Sequence, residues 1–331
     1  MEFSAIIGID VSKLVFDLRI LPSGQVFKAD NDESGFKLMF KWLKKDCMLD
    51  PSKVLYAFEC TGFYSFKLAT TLQNLRYSFV MIPGLELHRS LGIKRGKTDP
   101  IDAFNIAEYA FLRREQLTLT QLPEKDIQRM KGLLSIRDRY VRQRAGFKST
   151  ISEAKRAIDK KENPVYFKTQ ETIVKQLTIA INKVEEELLQ IISNNPEIQK
   201  QYELITSIKG VGMVTALNLI AFTHAFMKFS SWRKFASYSG IAPFPYKSGT
   251  SIKGRTKVSH LANKRIKGLL GNITASAIRY NTEIKTYYQR RNDEGKHKMS
   301  TQNAIRNKML ARIFAVVNRG TPYVDILKYA G

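Results

Sequence analysis

The hydrophobic pattern opens with three short, β-branched runs. Residues 4–30 contain AIIGIDV, LVFDLRI and GQVFKAD, each of strand length, with Pro22-Ser23-Gly24 as turn residues between the second and third. An opening β-meander is predicted. The period then changes: SGFKLMFKWLKK spaces its apolar residues as a helix, KVLYAFE returns to a strand, FYSFKLATTLQNL to a helix and YSFVMIP to a strand, before a further helix beginning near Asp99. Strands followed by strand–helix alternation predict an α/β sheet covered by helices, with a site outside the carboxyl ends of its strands.

Further along, the period is helical. Two long helices are predicted, from Pro123 to about residue 161 and from Tyr166 to Ser193, separated by Asn163-Pro164. Leu177, Ile181, Val184, Leu188 and Ile191 repeat at the alternating spacing of a coiled-coil seam, and Ile127, Met130, Leu134 and Val141 follow part of the same register. The pair predicts an arm for dimerisation. Arg137, Arg139, Arg142, Arg144 and Lys148 line its first helix, either as a solvated face or as nucleic-acid contacts. Residues 203–221 place Gly210-Val211-Gly212 between two apolar segments, as a plain helix connection or as a helix-hairpin-helix turn whose backbone N–H groups hold a phosphate. Residues 235–270, dense in Ser, Gly, Lys and Arg, read mostly as loop until about Ala262.

Composition narrows the function classes. With 331 residues and 44% hydrophobic content, the chain has material for the cores of two or three domains. Its two cysteines, Cys47 and Cys60, lack metal-ligand spacing, which disfavours a disulfide scaffold or a zinc site and suits a reducing cytoplasm. MEFSAIIGID has no basic leader, and no apolar run approaches the roughly 18 residues that span a bilayer, so a cytoplasmic protein without a membrane partner is expected.

Charge changes the picture most. The chain carries 54 Lys+Arg against 30 Asp+Glu, a formal +24. Residues 1–120 hold 16 basic and 14 acidic residues, net +2, whereas 121–331 hold 38 and 16, net +22. A neutral, acid-containing module joined to a basic body implies a polyanion held by one part and processed by another, with nucleic acid as the polyanion. The cations are spread over some two hundred positions and form no polybasic tail, which argues against a membrane surface.

The candidate chemistry lies in both parts. Asp10 ends the first strand and Glu59 the strand VLYAFE, while GKTDPIDA sets Asp99 and Asp102 three residues apart at a helix start. Asp99 before Pro100 is also an ordinary helix cap, and an acid at a strand end also caps a loop. Taken together, four carboxylates from three segments suit two Mg²⁺ or Mn²⁺ ions about 4 Å apart in phosphodiester chemistry. In the basic body, Ser248 lies next to Gly249, flanked by Lys247 and followed by Lys253, Arg255 and Lys257. It is either a turn residue or a hydroxyl among cations, placed to attack a phosphodiester.

The segments IGIDVSK, AFECTGFY, GKTDPIDAFNIAEYA, ITSIKGVGMVTALNLI and FASYSGIAPFPYKSGTSIKGR, in this order, resemble the insertion-sequence one-ten transposases, relatives of the pilin-gene invertases. The resemblance spans nearly the whole chain. It implies a RuvC-like, RNase H-type α/β domain at 1–120 whose tetrad Asp10, Glu59, Asp99 and Asp102 binds Mg²⁺ or Mn²⁺. It further implies a coiled-coil dimerisation arm at 121–200 and a mainly α transposase domain at 201–331 with Ser248 as nucleophile. Gly210, Gly212, Lys247, Lys253, Arg255 and Lys257 would face nucleic acid. The implied partners are donor and target DNA, a non-coding bridge RNA, and a second copy in a dimer that pairs into a tetramer. The chain has Ala262-Asn263 where relatives commonly show Gly-Asn, and Ser251 and Ser259 compete with Ser248 as nucleophile. Two other functions fit the same residues: a metal-dependent junction nuclease in which water attacks, and a non-catalytic nucleic-acid-binding protein. The complete set of four acids weighs against the last.

Overall fold

The computed structural model describes residues 3–90, 99–248 and 252–324; for residues 99, 100, 246–248, 252, 253 and 255 it describes the backbone alone. Contacts divide the chain into two compact units, Met1–Leu122 and Pro123–Gly331.

In the first unit, the described strands are β1 (Ala5–Val11), β2 (Val15–Leu21), β3 (Val26–Asp30), β4 (Val54–Glu59) and β5 (Phe79–Ile82), and the helices are α1 (Glu33–Lys45), α2 (Phe63–Asn74), α3 (Gly84–Ser90) and α4 (Asp99–Leu112). The strands form one mixed sheet in the order β3-β2-β1-β4-β5. The β1–β2 and β2–β3 pairs are antiparallel, as the meander requires, whereas β1–β4 and β4–β5 are parallel through helical crossovers. The short α3 goes beyond the sequence reading. Helix α4 starts at Asp99 itself, with Pro100 in its first turn.

Each face of the sheet has its own core. Ile7, Ile9, Tyr56 and Phe58 pack with Phe36, Met39 and Leu43 of α1 and Leu68 and Leu72 of α2. On the other face, Ile6, Leu55, Ala57, Val80 and Ile82 meet Ile106, Tyr109 and Ala110 of α4. This second layer is set by Gly8: a Cβ there would collide with the Ala103 carbonyl oxygen and with the backbone of Ala107, so α4 lies against β1 main chain to main chain.

In the second unit, α5 (Lys125–Ala157) and α6 (Pro164–Asn194) are the two long helices, followed by α7 (Pro196–Thr206), α8 (Met213–Thr223) and α9 (Trp232–Tyr238). Then come β6 (Pro243–Ser248), β7 (Ile252–Val258), α10 (Lys264–Tyr280), α11 (Thr282–Asp293) and α12 (Lys298–Arg319). Ile127, Met130 and Leu134 of α5 and Leu188, Ile191 and Ile192 of α6 join the core built on α8, α10 and α12. Of the predicted seam, Ile181, Leu188 and Ile191 are buried, and Leu177 and Val184 are half-buried. Ion pairs tie the two long helices, Arg129 to Glu187 and Arg137 to Glu185, each at 2.6 Å.

The expectation of loop up to about Ala262 is corrected: β6 and β7 form an antiparallel hairpin with an irregularity between Phe244 and Tyr246. Asn263 caps α10 by accepting from the Ile266 N–H. The neighbouring Ala262 methyl presses on Gly240, whose φ of +65° and missing Cβ give it room. No helix among the described residues is long and apolar enough to cross a membrane.

The seating of α4 yields the first prediction. Gly8→Ala forces α4 off the sheet and destabilises the first unit by about 3 kcal/mol, the upper range for overpacking because backbone must move. Denaturant unfolding measures it, and a loss within experimental error would show that α4 is not seated through Gly8.

Candidate active site at the carboxyl ends of the sheet

Strands β1 and β4 are buried along their length except at one position each, and in both that position is an acid: Asp10 and Glu59 are half-buried among fully buried neighbours. Parallel register pairs Ile9 with Phe58, so Asp10 and Glu59 are the next residues along two adjacent strands. Side chains alternate, so Asp10 shares its face with Ile6 and Gly8, and Glu59 with Leu55 and Ala57. That is the face covered by α4. Asp102 precedes Ala103, which touches Gly8, and is half-buried on the first turn of α4. Asp99 opens the same helix, and its side chain lies outside the described residues.

The surrounding elements brace this edge. A Cβ on Gly84 would run into the Glu59 carboxylate, so the turn into α3 is shaped around that group. Two residues on, Glu86 accepts a hydrogen bond from the Tyr109 hydroxyl of α4. Burial, followed by this bond, pushes the Tyr109 phenol up to about 12, so it stays a donor at neutral pH and ties α3 to α4.

Two charged residues on this face escaped the sequence reading. Asp17 pairs with Asp10 across β1 and β2, and its carboxylate lies 3.1 Å from Lys28. Arg19 pairs with Gly8, and its guanidinium stacks 4.9 Å from the centre of the Phe104 ring. Only the strand register, which links residues across the hairpin, could have revealed either.

Asp10, Glu59 and Asp102 therefore arrive on one face at one end of the sheet. Among the described residues, however, no three His, Cys, Asp or Glu side chains come close enough to hold one ion. The donor chemistry fits Mg²⁺ or Mn²⁺, since the groups are carboxylates and neither Cys47 nor Cys60 belongs to the set.

In the second unit, Gly210 has φ +97° and lies against Ser276 and Ala277 of α10, so it serves a tight inward turn. Gly212 is the N-cap of α8 with open space around it. Ser248 ends β6 and pairs with Ile252 of β7; its side chain, like those of Lys247, Lys253 and Arg255, lies outside the described residues. Ser251 also lies outside them. Lys257 is exposed opposite Phe244. Ser259 Oγ accepts from the Leu261 N–H at 3.1 Å, which is the work of a turn residue.

Residues 7–154 match a transposase family model of the DEDD, IS110 type, and residues 202–289 match the transposases of the IS116/IS110/IS902 family. The pilin gene-inverting proteins of Moraxella bovis and Moraxella lacunata are each 26% identical to the chain over 325 residues, covering 96% of it and 97% of the relative. A protein of insertion element IS110 from Streptomyces coelicolor is 28% identical over 120 residues, 36% of this chain and 29% of the relative.

Proposed function

Since this chain belongs to the IS116/IS110/IS902 transposases, we propose that it recombines DNA through a serine–DNA covalent intermediate, assisted by a metal-bound acidic site and guided by a bridge RNA. A DNA recombination enzyme is what the family entails. The finer reading rests above all on the placement of Asp10 and Glu59 side by side at the carboxyl ends of β1 and β4, on the face that α4 covers.

In this reading, residues 1–120 form an RNase H-type, RuvC-like domain in which Asp10, Glu59, Asp99 and Asp102 hold Mg²⁺ or Mn²⁺. The sheet order and the antiparallel β2 support that assignment. When bound, the ions supply charge stabilisation to a phosphodiester transition state. The acids position them, and the Gly84 turn and the Tyr109–Glu86 bond keep Glu59 and α4 in place. Residues 121–200 form a coiled-coil arm for dimerisation, and dimers pair into a tetramer. Residues 201–331 form the transposase domain, in which Gly210 and Gly212 build a helix-hairpin-helix turn and Lys247, Lys253, Arg255 and Lys257 track the phosphate backbone.

Ser248 is the proposed nucleophile. Its Oγ bonds to phosphorus, the bond from phosphorus to one deoxyribose oxygen breaks, and that oxygen takes up a proton as the serine gives one up. Attack by a new strand end reverses the step and frees the serine. Base pairing to the guide carries the sequence specificity, while the protein holds backbone and shape. The pilin gene-inverting relatives suggest that inversion lies within reach of the same chemistry.

The test is a trap for protein–DNA adducts, using protein produced together with its native flanking DNA. The wild type should give an adduct that maps to Ser248, Ser248→Ala should give none, and Asp102→Asn should lower strand cleavage by about 100-fold or more with nucleic-acid affinity retained. Metal-dependent cleavage without an adduct, unchanged by Ser248→Ala, would make the protein a nuclease.

A further inference from the structure

Between Glu203 and Glu283 the chain contains 12 Lys and Arg and no Asp or Glu. A stretch with one sign of charge over that length suits contact with a polyanion. The β6–β7 hairpin lies within it, and beside the hairpin is a cavity of about 700 Å³, the size of a small-molecule site. Its walls are Ser237 of α9, Phe244 and Pro245 of β6, Lys257 and Val258 of β7, and Leu261 beyond the hairpin. They are mostly apolar and open to solvent: Phe244 is 48% and Leu261 52% exposed. Apolar surface left open around a cavity marks a place where something binds.

The backbone under this cavity is fixed at both feet of the hairpin. Just before β6, the Ile241 carbonyl accepts from the side-chain amides of Asn303 and Asn307 of α12, at 2.9 and 3.1 Å. Just after β7, Asn263 donates its N–H to the Tyr238 carbonyl and its side-chain amide to the Tyr238 hydroxyl, each at 2.9 Å. Its side-chain oxygen caps α10 at the same time. The hairpin is thus tied to helices α9, α10 and α12, and the cavity exists before a ligand enters, so binding does not have to order it.

Strand register sets the chemistry of the walls. Phe244 pairs directly with Lys257, so an aromatic ring and an ammonium stand side by side on one face of the hairpin. That pair matches one nucleotide: a base stacks on the ring, and the ammonium takes the adjoining phosphate. Ser237 and Ser259 add hydroxyls, which both donate and accept and so suit the edge of any base. No carboxylate stands among the described lining residues to oppose the phosphate.

We propose that this cavity receives one unstacked nucleobase of a single-stranded segment, with Phe244 as the stacking platform and Lys257 on the neighbouring phosphate. The inference rests on the proposed function in taking the second unit to hold nucleic acid, and it names what the hairpin grips. It is independent of Ser248 and of the acidic tetrad. A base paired in a duplex enters only by leaving its stack, which costs energy, so the site favours single strands. DNA and RNA offer the same ring faces, and the experiment separates them.

Affinity is measured for the full-length wild type, Phe244→Leu, Phe244→Trp and Lys257→Gln on a single-stranded DNA, a single-stranded RNA and a duplex DNA of equal length. The same single strands carrying 5-iodouracil are photo-crosslinked, and the attached peptide is identified. Phe244 and Lys257 are exposed, so the variants keep the fold, which thermal unfolding verifies. Phe244→Leu keeps apolar surface but loses the ring face. It should bind the single strand about tenfold more weakly and the duplex as the wild type does. Phe244→Trp should bind the single strand at least as tightly as the wild type. Lys257→Gln should make the slope of log affinity against log salt shallower by about 0.7 on the single strand. The crosslink should map to Phe244 and vanish in Phe244→Leu.

The strand that shows these losses, DNA or RNA, is the one seated in the cavity. Unchanged single-strand affinity and crosslinking in Phe244→Leu, with the wild type binding normally, would overturn the inference and leave the proposed function standing. Equal losses on single strand and duplex would overturn the base as the ligand. An altered oligomeric state in sedimentation, with strand affinity unchanged, would give the cavity to a second copy of the chain and overturn the inference as well. A wild type that binds none of the three polymers would overturn both the inference and the proposed function.

Discussion

The contact between α4 and the sheet at Gly8 is the constraint on which the acidic site depends. Parallel pairing of β1 with β4 places Asp10 and Glu59 at one end, but two carboxylates on neighbouring strands are only part of a site. The main-chain approach of α4 brings Asp102, and the start of the helix at Asp99, to the same end. A residue larger than glycine at position 8 would lift the helix and separate the acids supplied by the strands from those supplied by the helix. The packing of Gly84 around Glu59 and the hydrogen bond from the Tyr109 hydroxyl to Glu86 hold α3 against Glu59 and α4. The chemistry proposed for these acids thus depends on how closely two backbones approach, a property carried by Gly8 and Ala103, which are not themselves reactive.

The second unit handles charge differently. The long helices α5 and α6 neutralise part of their positive charge internally, through Arg129–Glu187 and Arg137–Glu185. Exposed or half-exposed pairs like these add little stability, typically less than about 1 kcal/mol. They do fix the pairing of the two helices, because each pair joins positions far apart in sequence. The net charge of +22 over residues 121–331 is what a polyanion would neutralise.

Much of the first unit was legible in the sequence because its strands and helices are amphipathic or fully buried. Runs such as AIIGIDV and VLYAFE each carry one acid in an otherwise apolar segment; the structure ends β4 at Glu59 as expected, whereas β1 continues one residue past Asp10 to Val11. The β6–β7 hairpin was not legible. Its described residues are largely exposed, Phe244 among them at 48%, so no buried face imposes the alternating pattern that marks a strand. Asp17 and Arg19 were hidden because register across a hairpin determines which side chains share a face.

The central claim is that the acids at the carboxyl ends of β1 and β4, together with those of α4, bind divalent metal. Electron paramagnetic resonance titration of Mn²⁺ into the full chain tests it most directly, comparing the wild type with Asp10→Asn and Glu59→Gln. The account predicts Mn²⁺ bound by the wild type and lost in both variants, while their folded structure, followed by circular dichroism, persists. Equal Mn²⁺ binding by all three proteins, or none by the wild type even with DNA present, would contradict it.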